Sequence, residues 1–311
     1  MSGLMIGEEG LLRVDDRHAV YWARWGGAGG VPLLLLPSGP GAGHDDAVRG
    51  IFDPARFDIT LIEPRGCGRS LPPGETEANT TAHLVEDIER LRRHLGIDRW
   101  IILGRLWGAA LALAYAQAHP GRCAGLVATA VYLGDSADVA WFFGGASCMI
   151  TQAWEDAVAF LPAEYRHDPL EGYWRLVTDP DPVVAARAAA AFMEYDRAIV
   201  RHRPGGLVTN DGDETDAENV QFCRLFLHYL RNGFFLGDGV LLAGLDRIRH
   251  IPAEIVQGRF DLASGMRPAW RLAKSWPEAR FTVVDGAGSG YFRDPMRAEI
   301  LGAVDRLAAR Y

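Results

Sequence analysis

The sequence predicts an α/β protein with a mostly parallel sheet, helices on both faces and an inserted helical cap. Val31–Pro37 and Phe57–Pro64 are largely apolar runs, as expected for parallel strands that are buried on both faces. Helical periodicity follows the second run, and strands and helices then alternate. The alternation stops near Gly134, and from there to about Leu245 the pattern is helical and rich in alanine and aromatic residues.

The first elements are set by spacing and by end signals. The segment Asn79–Gly96 predicts a helix, because its apolar residues recur at a period of 3.6. These residues are Leu84, Ile88, Leu91 and Leu95. Asn79–Thr81 offers an N-cap, and Gly96 offers a C-terminal stop. Arg99–Gly104 and Cys123–Leu133 predict the next two strands, with an alanine-rich helix between them.

The remaining pattern predicts the cap and the return to the core. Asp181–Pro182 is a favourable helix start inside the cap, and the acidic stretch Asp211–Glu218 predicts a solvated loop. Strand patterns resume at Ala253–Asp261 and Ala279–Gly288, and an amphipathic helix closes the chain. We therefore predict an α/β core of residues 1–134 and 246–311 and a helical cap of residues 135–245.

Composition excludes several classes of partner. The chain has 311 residues and a net charge of −8, which argues against nucleic acid. No apolar run approaches the roughly 18 residues of a membrane span, and the beginning of the sequence carries no basic-then-apolar signal, so we expect a cytoplasmic protein. The cysteines form no C-x-x-C pair, so neither a metal site nor a disulfide framework is predicted, and no cofactor is expected. They are Cys67, Cys123, Cys148 and Cys223.

The segment Gly104–Gly108 has the form of a nucleophile elbow without its nucleophile. It reads Gly-Arg-Leu-Trp-Gly after a strand and before a helix. In α/β hydrolases this corner is G-x-S-x-G, and the serine attacks the substrate. Leu106 occupies the serine position here.

Longer motifs resemble the proline iminopeptidases, serine peptidases with the α/β-hydrolase fold. Pro37–Gly43 is similar to the family's H-G-G-P-G-G-G oxyanion loop, and Glu63–Ser70 to its D-Q-R-G-C-G-R-S. Further segments are also close to the family's sequences. These are Val85–Trp100, Leu111–Pro120, Arg231–Leu236, Asp246–Asp261 and Pro277–Gly288. The resemblance implies an α/β-hydrolase fold with eight strands and an inserted cap.

The sequence departs from the family at the positions that carry its chemistry. The resemblance places the nucleophile at Leu106, the base histidine at Ser289 and the acid at Asp261, so only the acid is kept. The family holds the substrate's amine with cap glutamates, and the matching positions are Asp196, in the Tyr195–Asp196 pair, and Phe226. The first residue of the oxyanion loop is Pro37 instead of histidine.

These replacements remove the serine mechanism. A serine triad needs an attacking oxygen, an imidazole that takes its proton and a carboxylate that orients the imidazole. Leu106 has no lone pair, and Ser289 is not a base at neutral pH. Phe226 cannot pair with an ammonium group. The sequence therefore predicts that Ser-His-Asp hydrolysis is absent.

Five residues are the candidates for the remaining polar chemistry. Trp107, at the start of a helix, and Gly39, in the Ser38–Gly39 stretch, offer backbone N–H groups to an oxyanion. Asp261, facing an apolar pocket, is predicted to have a raised pKa and to act as general acid or base, or else to accept structural hydrogen bonds. Arg105 is either a structural residue or a cation for a developing anion, and Asp196 is a second candidate acid or base.

We expect these groups to face an apolar pocket between core and cap. The predicted pocket residues are Leu106, Phe226, Tyr195, Ser289, Ser38, Trp141, Phe142, Tyr229 and Cys148. Such a pocket suits a small apolar substrate as the partner. The leading hypothesis is a non-hydrolytic cyclase, isomerase or lyase of secondary metabolism. The alternatives are an inactive binding protein and a hydrolase with a substitute catalyst, such as Asp261 with water.

Overall fold

Eight strands form one sheet in the computed structural model, which describes residues 7–27, 29–44, 46–202, 215–290 and 295–311. The strands are β1 (Glu8–Arg13), β2 (Ala19–Gly26), β3 (Val31–Leu35), β4 (Phe57–Glu63), β5 (Trp100–Arg105), β6 (Cys123–Thr129), β7 (Ala253–Gly258) and β8 (Arg280–Val284). Their order is β1-β2-β4-β3-β5-β6-β7-β8. The pairs β1–β2 and β2–β4 are antiparallel, and the other five neighbouring pairs are parallel. The predicted fold class is confirmed.

The central strands are buried on both faces, as their apolar runs predict. In β3, Leu33 and Leu35 pack into the core on one side of the sheet, while Leu34 packs into the core on the other side. Ile101 and Ile102 of β5 divide in the same way. Successive side chains of a strand point to opposite faces, so a strand covered on both sides is apolar at most of its positions.

The helices cover both faces and build the region between β6 and β7. They are α1 (Thr81–His94), α2 (Trp107–Ala118), α3 (Ser136–Ala140), α4 (Thr151–Phe160), α5 (Pro169–Val177), α6 (Pro182–Val200), α7 (Asp216–Arg231), α8 (Val240–Ala243), α9 (Met266–Ser275) and α10 (Met296–Ala308). Helices α3 to α8 follow β6 and precede β7. The division into core and cap at residues 134/135 and 245/246 stays a prediction.

The predicted helix starts are confirmed at two positions. The side chain of Thr80 accepts a hydrogen bond from the His83 N–H at the start of α1, and Asp181 accepts one from Val183 at the start of α6. The acidic stretch is different. Residues 211–214 lie outside the described residues, but Thr215 and Glu218 form a reciprocal capping box that begins α7. The last part of this stretch is therefore helix instead of loop.

Hydrogen bonds hold the first crossing, the segment that leads from β6 into α3, and tie it to Asp238 in the loop before α8. Ser136 donates its N–H and its hydroxyl to the carboxylate of Asp238, at 2.8 and 2.7 Å. The buried Asp138 Oδ2 accepts the N–H groups of Leu133 and Gly134, at 2.8 and 2.7 Å. Burial, together with the neighbouring charge of Asp135, raises the pKa of Asp138 to about 7. A carboxyl group that titrates near neutrality thus holds the first crossing.

Asp138→Asn is expected to remove part of the pH dependence of stability. Because the pKa of Asp138 is raised in the folded state, the folded chain keeps this proton between about pH 4 and 7 while the unfolded chain releases it. This group therefore lowers the free energy of unfolding as pH rises through that range. Between pH 5 and pH 8, the free energy of unfolding of the wild type should therefore fall by about 2 kcal/mol relative to that of the variant.

Urea unfolding at pH 5 and pH 8 measures this difference, with Asp156→Asn as the matched control on an exposed aspartate. An identical pH dependence in the wild type and in Asp138→Asn would show that Asp138 keeps an ordinary pKa.

Candidate active site

The elbow stands between the end of β5 and the start of α2. Leu106 adopts φ 52° and ψ −125°, a backbone conformation that residues with a side chain rarely adopt. Such a conformation costs about 1–3 kcal/mol unless its surroundings fix it. Here the Leu106 N–H donates to the Thr129 carbonyl at 3.1 Å, and the Leu106 carbonyl accepts from Ala109 at 3.0 Å. The fold thus keeps the strained turn of a nucleophile elbow around a leucine.

Two glycines allow the close packing of this turn. A Cβ atom on Gly104 would lie 2.2 Å from the Gly108 carbonyl oxygen, and one on Gly108 would lie 2.2 Å from the Pro37 carbonyl oxygen. No side chain fits at either position. The first turn of α2 therefore packs directly against the loop that begins at Pro37, which brings this loop beside Leu106.

A cavity of about 720 Å³ lies among the elbow, this loop and the helices α6 and α7. Eight of the residues predicted from the sequence line it. They are Ser38, Gly39, Arg105, Leu106, Trp107, Phe142, Asp196 and Phe226. The others do not line it. They are Tyr195, Trp141, Tyr229, Cys148, Ser289 and Asp261.

Three aromatic residues predicted for the pocket, Tyr195, Trp141 and Tyr229, lie outside the cavity lining. The hydroxyl of Tyr195 donates to the Phe142 carbonyl, and that of Tyr229 donates to Asn79 Oδ1 at 2.9 Å. Trp141 donates its indole N–H to a backbone carbonyl. A polar tip that is removed from water needs such a partner. Cys148 is exposed and does not line the cavity, so its place in a substrate pocket stays a prediction.

Phe226 gives the cavity an apolar wall. Its ring stacks on Phe222, with ring centroids 5.3 Å apart, and meets Phe142 edge-on at 5.3 Å. Phe192 packs behind it at 6.0 Å. This cluster desolvates the surface at Phe226, so the wall favours apolar groups over charged ones.

Arg105 links the elbow to the two loops on either side of it. Its Nε donates to the Ser289 carbonyl at 2.9 Å, and its Nη1 donates to the Ser38 hydroxyl at 2.7 Å. Both of these acceptors are neutral, and the two bonds fix the direction of the guanidinium. Ser289 itself turns its hydroxyl towards the Val200 carbonyl, at 3.4 Å. Arg105 thus places a positive charge beside Leu106.

Asp261 lies behind the cavity wall, and its carboxylate is occupied. Oδ1 accepts from the N–H groups of Ala263 and Ser264, at 2.9 and 3.3 Å, and Oδ2 accepts from the Ser264 hydroxyl and Gln257 at 2.7 and 3.0 Å. Burial raises its pKa, and the bond from the Ser264 hydroxyl and the charge of Arg105 oppose this shift. A catalytic role for Asp261 stays a prediction, and the geometry favours Asp196 for contact with a substrate.

Several charged residues of the cavity were not predicted from the sequence. Glu63, Arg69, Arg197, Arg201 and Glu218 line it, as does His44. Loss of hydration lowers the pKa of His44 to about 4, and its Nε2 lies 3.2 Å from the Ile62 carbonyl. The neutral imidazole therefore serves as a donor to the backbone. A helical projection could have identified Arg197 and Arg201, because they share a face of α6 with Met193.

No metal or membrane element is present in the ranges that the structure describes. No group of three or more histidine, cysteine, aspartate or glutamate side chains there could hold a metal ion. Across the same residues, no helix has the length and apolarity needed to span a bilayer.

Comparisons with known proteins agree with this architecture. Residues 31–290 match the family model described as alpha/beta hydrolase fold, which together with the sheet and the elbow defines the class of the chain. The chain is 40% identical over 304 residues to a proline iminopeptidase of Neisseria gonorrhoeae, covering 97% of this chain and 96% of that protein. It is 38% identical to a proline iminopeptidase of Arabidopsis thaliana, covering 96% of this chain and 80% of that protein. The chain belongs to the proline iminopeptidase family.

A solved structure shows the same fold. It is a proline iminopeptidase-related protein from Thermus thermophilus, which matches with a TM-score of 0.62 and 22% identity, over 99% of this chain and 100% of that one.

The relatives overturn the leading functional hypothesis. The sequence favoured a non-hydrolytic cyclase, isomerase or lyase, with an inactive binding protein and a hydrolase with a substitute catalyst as the alternatives. Full-length relatives at about 40% identity are proline iminopeptidases, which are hydrolases, and this points to hydrolase activity. Nothing in the comparisons supports a cyclase or a role in biosynthesis.

Proposed function

We propose that this chain is a hydrolase that cleaves an acyl bond of a small substrate by direct attack of water, without an acyl-enzyme at residue 106. One observation carries the proposal. Backbone N–H groups, a fixed guanidinium and a carboxylate all line one cavity around an elbow whose central residue, Leu106, offers no nucleophile.

The proposal interprets Leu106, Asp261 and Ser289 as the former triad positions. Leucine and serine cannot supply a nucleophile and a base there. Asp261 then has a positioning role, because its hydrogen bonds fix the turn from Ala263 to Gly265 that borders the cavity.

The electrophilic half of the site consists of donors to the carbonyl oxygen. Trp107 is the first residue of α2, so its N–H has no carbonyl acceptor one turn earlier in that helix. Gly39 lies in the loop opposite and offers the second backbone donor. Arg105 adds a charged donor beside both. Fixed donors of this kind stabilise negative charge that develops on a carbonyl oxygen.

Asp196 is the proposed base. Three acids line the cavity among the described residues, namely Glu63, Asp196 and Glu218, and the proposal assigns the base to Asp196 because of its place on α6. Glu63 accepts bonds from the Arg69 side chain and backbone, and Glu218 accepts from Thr215 at the start of α7. Asp196 lies on α6 and lines the same cavity as Leu106, and in this proposal it takes a proton from water.

The reaction then proceeds in two steps. Water attacks the carbonyl carbon while Asp196 takes its proton, and the carbonyl oxygen becomes an oxyanion held by Trp107, Gly39 and Arg105. When the tetrahedral intermediate collapses, the bond to the leaving group breaks. That group takes the proton from Asp196 and leaves as an alcohol or amine, and the acid is the second product.

The apolar wall favours an uncharged acyl group at this end of the cavity. An N-terminal proline carries a positively charged amine. In this cavity the amine would lie against Phe226, which cannot pair with it, and Arg105 would repel it. We therefore propose esters or amides of apolar acids as the small-molecule substrates. The cytoplasm is the location we propose for this activity.

We expect the protein to hydrolyse 4-nitrophenyl butyrate above background, to leave proline 4-nitroanilide intact and to resist a fluorophosphonate. Leu106→Ser should raise the ester rate by less than about threefold and gain no phosphonate adduct, because Ser289 cannot take the serine proton. Product absorbance and intact mass provide the readouts.

Leu106→Ala is the matched control for the loss of side-chain volume. Phosphonate inhibition of the wild type, or a tenfold or greater gain in Leu106→Ser over Leu106→Ala, would contradict the proposal.

A further inference from the structure

Tyr132 places a neutral hydrogen-bonding group in the wall of the cavity. It follows β6 and lines the cavity together with Ala263, which lies in the turn after β7. The Tyr132 hydroxyl donates to the Ala263 carbonyl at 2.8 Å. Because the two residues that meet at this bond both line the cavity, the hydroxyl end of Tyr132 lies at the cavity wall.

The bond to Ala263 decides what this hydroxyl can still do. A carbonyl oxygen only accepts, so the phenolic proton is committed to Ala263, and the lone pairs of the Tyr132 oxygen remain for a donor. Among the described residues, no group donates to this oxygen. Burial, together with the negative charges of Asp138 and Asp196, raises the pKa of Tyr132 well above its ordinary value, so the phenol keeps its proton at neutral pH.

The position of Tyr132 is fixed at its backbone and at its ring. Its N–H donates to the Leu106 carbonyl at 3.4 Å, which holds its backbone beside the elbow. The preceding residue, Val131, donates its N–H to Oε1 of the buried Gln257 at 3.1 Å. The ring meets Phe234 edge-on, with the ring centroids 6.1 Å apart. An acceptor that is held in place before binding loses little conformational entropy when a ligand donates to it.

We propose that the Tyr132 oxygen accepts an N–H group of the substrate, so that the site prefers secondary amides to esters of the same apolar acid. This inference rests on the proposed hydrolase function, because it narrows the substrate class of that site.

The geometry of an amide explains why this acceptor matters. In a trans amide the N–H and the carbonyl oxygen point in opposite directions. A carbonyl oxygen bound by Trp107 and Gly39 therefore turns the N–H away from these donors, and an N–H that leaves water without an acceptor is costly. The Tyr132 oxygen can accept it. An ester has only an oxygen at this place, which gains no hydrogen bond from Tyr132, since the phenolic proton is already used.

Calorimetric titration with two uncharged probes of equal size tests the acceptor. The probes are N-phenylbutanamide and 1-phenylpentan-2-one, a ketone in which CH₂ replaces the N–H. We expect the wild type to bind the amide at least about fivefold more tightly than the ketone. Tyr132→Phe keeps the ring and removes the oxygen, so it should reduce this preference to less than about twofold and leave ketone binding unchanged. Chromatography after each titration measures any cleaved amide, which reports hydrolysis separately.

Tyr173→Phe is the matched control, because the buried Tyr173 hydroxyl also donates to a backbone carbonyl, that of Ala157 at 2.7 Å, but does not line the cavity. It should keep the wild-type preference. Thermal unfolding verifies that each variant folds. A preference that survives in Tyr132→Phe overturns the assignment. In the wild type alone, so does equal binding of the two probes, tighter binding of the ketone, or no measurable binding of the amide. A chain that shows the preference but cleaves neither the amide nor an ester contradicts the proposed hydrolysis alone.

Discussion

Asp196→Asn is expected to lower kcat for ester hydrolysis about 100-fold or more and to change KM by less than about twofold. The amide keeps the size and hydrogen-bonding capacity of the carboxylate, but it cannot take a proton from water. The loss therefore belongs to the chemical step, in which Asp196 is the proposed base. Steady-state kinetics on 4-nitrophenyl butyrate at pH 7 measures the effect.

Two comparison variants separate this role from others. Glu194→Gln removes an exposed carboxylate two residues away on α6 and should leave kcat unchanged. Asp261→Asn should lower the thermal stability and change kcat only slightly, because Asp261 binds backbone and side-chain donors behind the cavity wall. If Asp261→Asn loses 100-fold in kcat while Asp196→Asn does not, the base is Asp261 and the present assignment is wrong.

Arg105→Gln is expected to lower kcat on the same ester about 100-fold, which corresponds to about 2.7 kcal/mol of transition-state stabilisation. Glutamine can still donate to the Ser289 carbonyl or the Ser38 hydroxyl, but it carries no charge for the oxyanion. KM should change little, because the charge on the carbonyl oxygen develops only during the reaction.

Arg105→Lys tests this explanation, since it keeps the charge and loses the fixed fork of donors. We expect it to recover part of the lost kcat. If Arg105→Gln keeps the wild-type kcat while its thermal stability falls, Arg105 is only a structural link between the two loops.

The fold could be predicted because its strands carry a local signal. Residues Val31–Leu35 must be apolar at each successive position to fit between two helical layers, and this pattern is visible without any knowledge of tertiary structure. The caps of α1 and α6 are equally local, since Thr80 and Asp181 bond to N–H groups two or three residues away. The loop predicted for the acidic stretch is wrong at its end. Charged residues predict a solvated segment, but the residues from Thr215 also supply the cap of a helix.

The site could be predicted only in part. The elbow and the loop at Ser38 are each continuous in sequence, so their residues reach the cavity as expected. The direction of an aromatic ring or a carboxylate depends on the partners that the folded chain offers it. Tyr195 turns to Phe142, and Asp261 is occupied by groups of its own turn, and neither orientation follows from a periodic pattern.

The hypothesis of a non-hydrolytic enzyme failed for a chemical reason. It treated the loss of a serine at residue 106 and of a histidine at residue 289 as the loss of hydrolysis itself. Hydrolysis needs water, a base and a stabilised oxyanion, and a covalent nucleophile is one way among several to provide them. The full-length similarity to proline iminopeptidases points to hydrolase activity, and the proposed mechanism assigns that activity to a different catalyst.

Rapid-quench mass spectrometry during the first turnover of 4-nitrophenyl butyrate tests the central claim most directly. The account predicts that 4-nitrophenol appears linearly from the start, without a burst, and that the intact protein keeps its unmodified mass at every time point. A burst of 4-nitrophenol equal to the enzyme concentration, with a protein heavier by one butyryl group, would contradict direct attack by water and reveal a covalent nucleophile.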